Sequence, residues 1–226
     1  METTKKISLI LSSSTIYEEQ CAVDCTPEAG VPKEIGNAHP LSKDDLYYVK
    51  EHAIVEWNTE QNSFYISNRS NFGTYYRVEK NHLARIQYGQ FILIGEKTNI
   101  VFNKCTHQGA TLYIISIMDI DSNLHGKYAL TSKSTVIIGR YEESAPNANT
   151  IDIKNDHACS RRHIVATLLD DYVIIKDWAG PGIGSVEKDG NGSVSGTWIS
   201  IVGSIPLKNN MQVRMGKSVF GKFVIS

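Results

Sequence analysis

The sequence predicts an all-β protein, two tandem β-sandwiches of mainly antiparallel strands, and three observations carry that expectation. Apolar, β-branched and aromatic residues come in short runs separated by Gly, Asn, Asp and Ser. Almost no stretch has the apolar spacing of an amphipathic helix, so helix is expected to be scarce. The order of motifs in the first half returns in the second, and such a repeat marks where one folding unit gives way to the next.

Taken in order, the strand candidates of the first half are 52–57, 63–66, 90–94, 99–102 and 111–117. Each gathers Val, Ile, Leu, Phe, Tyr or Trp, the residues that fit a pleated, half-buried surface. Those of the second half are 135–138, 163–168, 172–175, 196–202, 211–215 and 221–225. The repeat runs through them. Ile35-Gly36, His52-Ala53-Ile54-Val55, Asn71-Phe72-Gly73-Thr74-Tyr75 and Ile94-Gly95 are followed, in the same order, by Ile138-Gly139, His163-Ile164-Val165-Ala166, Ser195-Gly196-Thr197-Trp198 and Met215-Gly216. The step from the Gly-Thr element to the last glycine is 22 residues in one copy and 20 in the other. The expected domains are therefore 1–120 and 127–226, with the boundary at 119–126.

Composition narrows the function classes. At 226 residues the chain has room for two domains of about 110 residues each. Lys plus Arg number 23 against 24 Asp plus Glu, so there is no broad cationic field and no direct nucleic-acid binding is expected. The four cysteines, Cys21, Cys25, Cys105 and Cys159, are spaced for neither a disulfide framework nor a zinc site, and they read as free thiols. The apolar run at 7–11 is too short for a signal-peptide core or a membrane span. An intracellular protein, nuclear or cytoplasmic, with no membrane partner and no cofactor is expected.

The chemistry is concentrated in the second half. Gly139-Arg140, Ser160-Arg161-Arg162-His163 and Ser195-Gly196-Thr197-Trp198-Ile199 place guanidinium and hydroxyl groups around an apolar framework. An arginine fork matches phosphate oxygens and a serine hydroxyl fills a remaining one, so the set reads as a cradle for one phosphate. Taken alone, Arg161-Arg162-His163 is equally well a solvated charge cluster, and Asn71-Phe72-Gly73-Thr74 reads as a turn ahead of a site.

With Asp177-Trp178, Pro206-Leu207 and Met215-Gly216 added, the elements in 127–226 resemble a forkhead-associated (FHA) domain, the phosphothreonine-binding β-sandwich. The first half resembles a degenerate copy. The resemblance implies that Arg140, Ser160 and Arg161 contact the phosphate or peptide, that Ser195, Gly196 and Thr197 complete the peptide-binding loop, and that Gly139 and His163 support it structurally. Ser195 stands where the family usually has asparagine, and Val194 where it often has a hydroxyl. The glycine-rich insert 179–193 offers Asn191 or Ser193 as substitutes, and the loop 141–159, with Glu142, Glu143, Pro146 and Asp156, is expected to influence which flanking residues are accepted. In the first half Asn37 and Val49 replace the arginine and the phosphate-binding serine, while Lys50, His52, Asn71, Gly73 and Thr74 remain. A valine donates no hydrogen bond, so this copy is not expected to bind phosphate in the usual way.

Other motifs fail on their own terms. Gly216-Lys217-Ser218 ends like a phosphate loop, but Met211 occupies the upstream glycine position. Asp119, Asp121 and Asn123 begin like a calcium loop, yet Leu124 and Leu130 fill its turn and closing-ligand positions. Ser160 and His163 lack an orienting acid, so no catalytic role is assigned and no enzyme is expected. Two functional expectations stand: an adaptor that reads a phosphothreonine-containing protein through the second domain, or a phosphate-independent scaffold. In either, the first domain is available for self-association or a scaffold partner.

Overall fold

The structure is a computed structural model describing residues 5–12, 21–28, 31–36, 47–79, 82–140, 150–177, 193 and 195–226. Asn37, Glu142, Glu143, Pro146, Trp178, Asn191, Val194 and most of the glycine-rich insert, 179–192, lie outside the described residues. None of the described residues is helical, and the protein is all-β, as its sequence pattern requires.

The strands are β1 (Ile7–Ser12), β2 (Cys21–Asp24), β3 (Lys33–Ile35), β4 (Ala53–Asn58), β5 (Ser63–Asn68), β6 (Thr74–Arg77), β7 (Leu83–Ile86), β8 (Phe91–Ile94) and β9 (Thr98–His107). They continue as β10 (Ala110–Asp119), β11 (Leu124–Leu130), β12 (Thr135–Gly139), β13 (Thr150–Asp152), β14 (Ile164–Leu168) and β15 (Val173–Asp177). The last four are β16 (Thr197–Ser200), β17 (Ser204–Pro206), β18 (Gln212–Met215) and β19 (Val219–Ile225).

These strands form two compact units whose limits do not follow the sequence halves. Unit 1 is Met1–Arg77 with Ser200–Ser226; unit 2 is Val78–Ile199. Within unit 1 one run of strands is β2-β1-β19-β18-β6 and the other is β3-β4-β5-β17. Within unit 2 the runs are β11-β10-β9-β8-β16 and β13-β12-β14-β15-β7. The two orders match place for place, with β13 as the extra strand. The match reveals an exchange. Unit 1 takes β17, β18 and β19 from the second half of the sequence, and unit 2 takes β7, β8 and β9 from the first. The pairing is antiparallel except between β12 and β13.

The position of β10 also separates the pairing from the boundary read at 119–126. β10 and β11 hold in unit 2 the places that β1 and β2 hold in unit 1, so the structural repeat begins at the Gln108-Gly109 turn. The polar stretch after β10, where the sequence places the domain boundary, is a hairpin turn. Asp119 accepts hydrogen bonds from the Asp121 and Asn123 amides, from Asn123 Nδ2 at 2.9 Å and from His125 Nε2 at 3.1 Å. Those bonds, Asn123's first, hold its carboxyl down at about 2.

Alternation sets the cores. In β14 and β15 every second side chain is buried, the two-residue period of a strand with one face inward. The core of unit 1 joins Leu9 and Phe223 to Val55, Phe64, Ile66, Val213 and Met215, so both of its sheets close on a single apolar interior. Each such side chain contributes roughly 1.5–3 kcal/mol by leaving water. The exchanged strand β19 supplies a full share, since Phe223 is 0% exposed and lies opposite Leu9.

Candidate functional site

The candidate site is built at one end of unit 2, where β12 stops at Gly139. Backbone bonds lay segment 160–163 against that strand end: His163 N donates to Ile138 O at 2.9 Å and Arg140 N to Ser160 O at 3.0 Å. Gly139 is required by this approach. A Cβ there would run into the Arg161 carbonyl oxygen and lie 2.9 Å from the Arg162 Cα, so the residue must lack a side chain.

His163 locks the two loops together. It is fully buried, its Nδ1 accepts from the Ser160 amide at 3.1 Å, and its Nε2 lies 3.0 Å from the Gly196 carbonyl oxygen. One nitrogen must accept and the other donate, so the ring is the neutral Nε2–H tautomer. Burial, ahead of the opposing hydrogen bond to Gly196 and the nearby Asp177 and Asp156 charges, pushes its pKa below the ordinary 6.5. The unfolded chain takes up this proton as pH falls below about 6.5 while the folded chain resists it, so stability present above 6.5 is lost on acidification, at up to about 1.4 kcal/mol per pH unit. The wild type is expected to lose thermal stability more steeply between pH 6.5 and 5 than His163→Gln. Parallel Tm profiles would contradict this account.

The remaining predicted residues divide into two groups. Arg161 is exposed, and Arg140, Ser160 and Ser195 are half-buried around the same turn. Arg140 Nε donates to the Cys159 carbonyl at 3.3 Å, and Ser195 Oγ donates to the Ala158 carbonyl at 3.0 Å. Ser195 O in turn accepts from Trp198 Nε1 at 3.0 Å. Thus Arg140, Ser160, Arg161 and Ser195 are brought together on one loop end. Gly196 and Thr197, read as ligand contacts, are placed in the interior: the Gly196 carbonyl is occupied by His163 and Thr197 is fully buried at the start of β16.

Unit 1 repeats this framework with fewer polar arms among the described residues, Lys50 being the one that remains. Gly36 abuts the Lys50 carbonyl as Gly139 abuts that of Arg161, His52 Nδ1 faces the Val49 amide at 3.4 Å, and His52 Nε2 meets the Gly73 carbonyl at 2.8 Å. Val49 therefore corresponds to Ser160, Lys50 to Arg161, and Phe72 to Ser195. Asn71 falls one residue earlier, opposite Val194 in sequence. Phe72 instead packs edge-on against Tyr47, ring centroids 5.2 Å apart.

The interiors behind the two loop ends also differ. In unit 1, Asn68 Oδ1 accepts from Thr74 Oγ1 at 2.9 Å while its Nδ2 donates to the Ser70 carbonyl at 2.8 Å. In unit 2 the corresponding residue is Asp177, which has no donor to give. Its Oδ1 accepts from Ser193 N at 3.0 Å, but Asp177 Oδ2, Ser193 Oγ and Thr197 Oγ1 are buried with no hydrogen-bond partner among the described residues. Such groups raise the free energy of the fold and favour an ordered water.

Asp156 is the neighbour of the candidate site whose placement differs from the sequence reading. Read as part of a loop that selects flanking residues, it is buried and accepts hydrogen bonds from Glu96 N, Lys97 N, Thr98 Oγ1 and Ala158 N. No local sequence signal marks this, because the donors lie some 60 residues upstream. Among the described residues no group of three His, Cys, Asp or Glu side chains is arranged to hold a metal ion. Burial pushes the Cys159 thiol up to about 12, which makes it an inert packing group. No family model, no curated protein and no solved structure matches the chain.

Proposed function

We propose that the chain is a phosphothreonine-peptide-binding adaptor of the forkhead-associated kind, reading a phosphorylated protein through the loop end of unit 2. In this reading Arg140, Ser160 and Arg161 bind the phosphate, Ser195 meets the peptide, and Gly139 and His163 hold the loops. No catalytic step is involved. The observation that carries it is the contrast between the two units: the same glycine and histidine clamp occurs in both, but only unit 2 surrounds it with two guanidinium groups and two hydroxyls. Charge-assisted bonds from such groups discriminate a phosphorylated peptide from its unmodified form.

Titrating the full chain with a phosphothreonine peptide library and its unphosphorylated counterpart tests the reading. Preference for the phosphorylated set is expected, with a loss of about tenfold or more in Arg140→Ala and in Ser160→Ala, since each removes a bond worth roughly 1.5–3 kcal/mol. Equal binding of both sets would sink it.

A phosphate-independent scaffold is the second reading, favoured by Val49 and Phe72 in unit 1 and by the commitment of the Ser195 hydroxyl proton to Ala158. Partner capture before and after phosphatase treatment separates the two. Partners lost with the phosphate count for the adaptor, and partners retained count for the scaffold.

A further inference from the structure

We propose that the turn joining β8 to β9, residues 95–98, positions the candidate phosphate loop, so that the site carried by the second half of the sequence is completed by the first half. This rests on the phosphopeptide reading and gives the first half a specific task within it. Thr98 and Asp156 are the positioning residues.

The Asp156 carboxylate is 2% exposed and stands four residues before Ser160. A carboxylate withdrawn from water needs several donors to offset its lost hydration. Here they come from one short turn: Glu96 N at 3.1 Å, Lys97 N at 3.0 Å and Thr98 Oγ1 at 2.9 Å all reach Oδ2. Gly95 makes the approach possible. It has φ of +61°, and a Cβ on it would collide with the Asp156 carboxylate.

From Asp156 the order passes residue by residue along the loop. Oδ1 accepts from Ala158 N at 3.2 Å and the Asp156 carbonyl accepts from Cys159 N at 3.0 Å. The Ala158 carbonyl then receives Ser195 Oγ, the Cys159 carbonyl receives Arg140 Nε, and Ser160 N binds His163. The Ala158 and Cys159 amides that lead into Ser160 are thus tied to Asp156 and through it to the turn at 95–98, while the Ser160 amide is tied to the clamp histidine. The second half does have a turn of its own in the corresponding place, Gly216-Lys217-Ser218, with Gly216 at φ +67°. That turn belongs to unit 1. The anion site of unit 2 is therefore not self-contained in 127–226.

The test uses the full chain with Thr98→Val, which keeps shape but removes the donor, Thr98→Ser, which keeps the donor, and Asp156→Asn. Two readouts are taken: amide exchange at Ala158, Cys159 and Ser160 without ligand, and affinity for the phosphothreonine peptide that the wild type prefers. Thr98→Val and Asp156→Asn are expected to speed exchange at these three amides and to weaken the peptide, each by about tenfold, the effect of losing one charge-assisted bond. Thr98→Ser is expected to restore both, which a general loss of stability would not do. Unchanged exchange at the three amides, or a Ser variant as impaired as Val, overturns the proposal. So does faster exchange with undiminished affinity. If the wild type ignores phosphorylated peptides, the adaptor reading fails and the exchange measurement alone decides whether the turn positions the loop.

Discussion

Phe223→Ala, a substitution in the last strand of the chain, is expected to unfold the region around residues 7–77 and to spare 78–199. Phe223 is fully buried, lies opposite Leu9, and belongs to the core formed with Val55, Phe64 and Ile66. Truncating a buried phenylalanine leaves a cavity and costs about 3–5 kcal/mol. Against a typical total of roughly 5–15 kcal/mol this removes much of the stability of unit 1. Hydrogen exchange followed by mass spectrometry reads the outcome by segment. Protection should fall in β1, β4 and β5 and persist in β12, β14 and β15. If protection is lost in β12, β14 and β15 instead, β19 completes the other unit and the exchange of strands is refuted.

Gly139→Ala should be as damaging by a different route. The added methyl group would occupy the space of the Arg161 carbonyl, and backbone cannot rotate out of the way as a side chain end can. Segment 160–163 has to retreat from β12, giving up the Arg140–Ser160 and His163–Ile138 backbone bonds. Strain of about 1–3 kcal/mol joined to two lost bonds of about 1 kcal/mol each predicts a loss of roughly 3 kcal/mol or more. Chemical denaturation measures it, and wild-type stability in this variant would show that the loop does not lie against the strand. Gly36→Ala should behave alike in unit 1, where the same contact is made with Lys50.

The strands were legible because their signal is local. Ile164, Ala166 and Leu168 alternate with half-buried neighbours whatever strand lies beside them. The partners were not legible, and the reason lies in the repeat itself. Met215-Gly216 and Ile94-Gly95 are similar enough that either can follow either Gly-Thr element, so the resemblance that located two copies hid which copy each final strand completes. The clamp was legible in part. Arg140, Ser160, Arg161 and His163 are close in sequence or fixed by motif order, whereas Asp156 acquires its role only through donors at Glu96, Lys97 and Thr98. Polar residues between strands read as solvated loop, and burial of one is decided by tertiary contacts that no short window contains. Asn71 is the opposite case, since the shared Gly-Thr step by itself sets Phe72, and not the asparagine, opposite Ser195.

The exchanged strands impose an order on the birth of the protein. Unit 2 is one continuous stretch, Val78–Ile199, and has all its strands once that stretch has left the ribosome. Residues 7–77 emerge first and yet must wait, because β17, β18 and β19 are translated last. At about 5–20 residues per second the delay is on the order of ten seconds or more. During it the inward faces of β1, β4 and β5 have no lasting cover except from chaperones or from β7–β9, the transient partners nearest to them in sequence. Of the two units, the one whose strands begin to emerge first is therefore the one finished later.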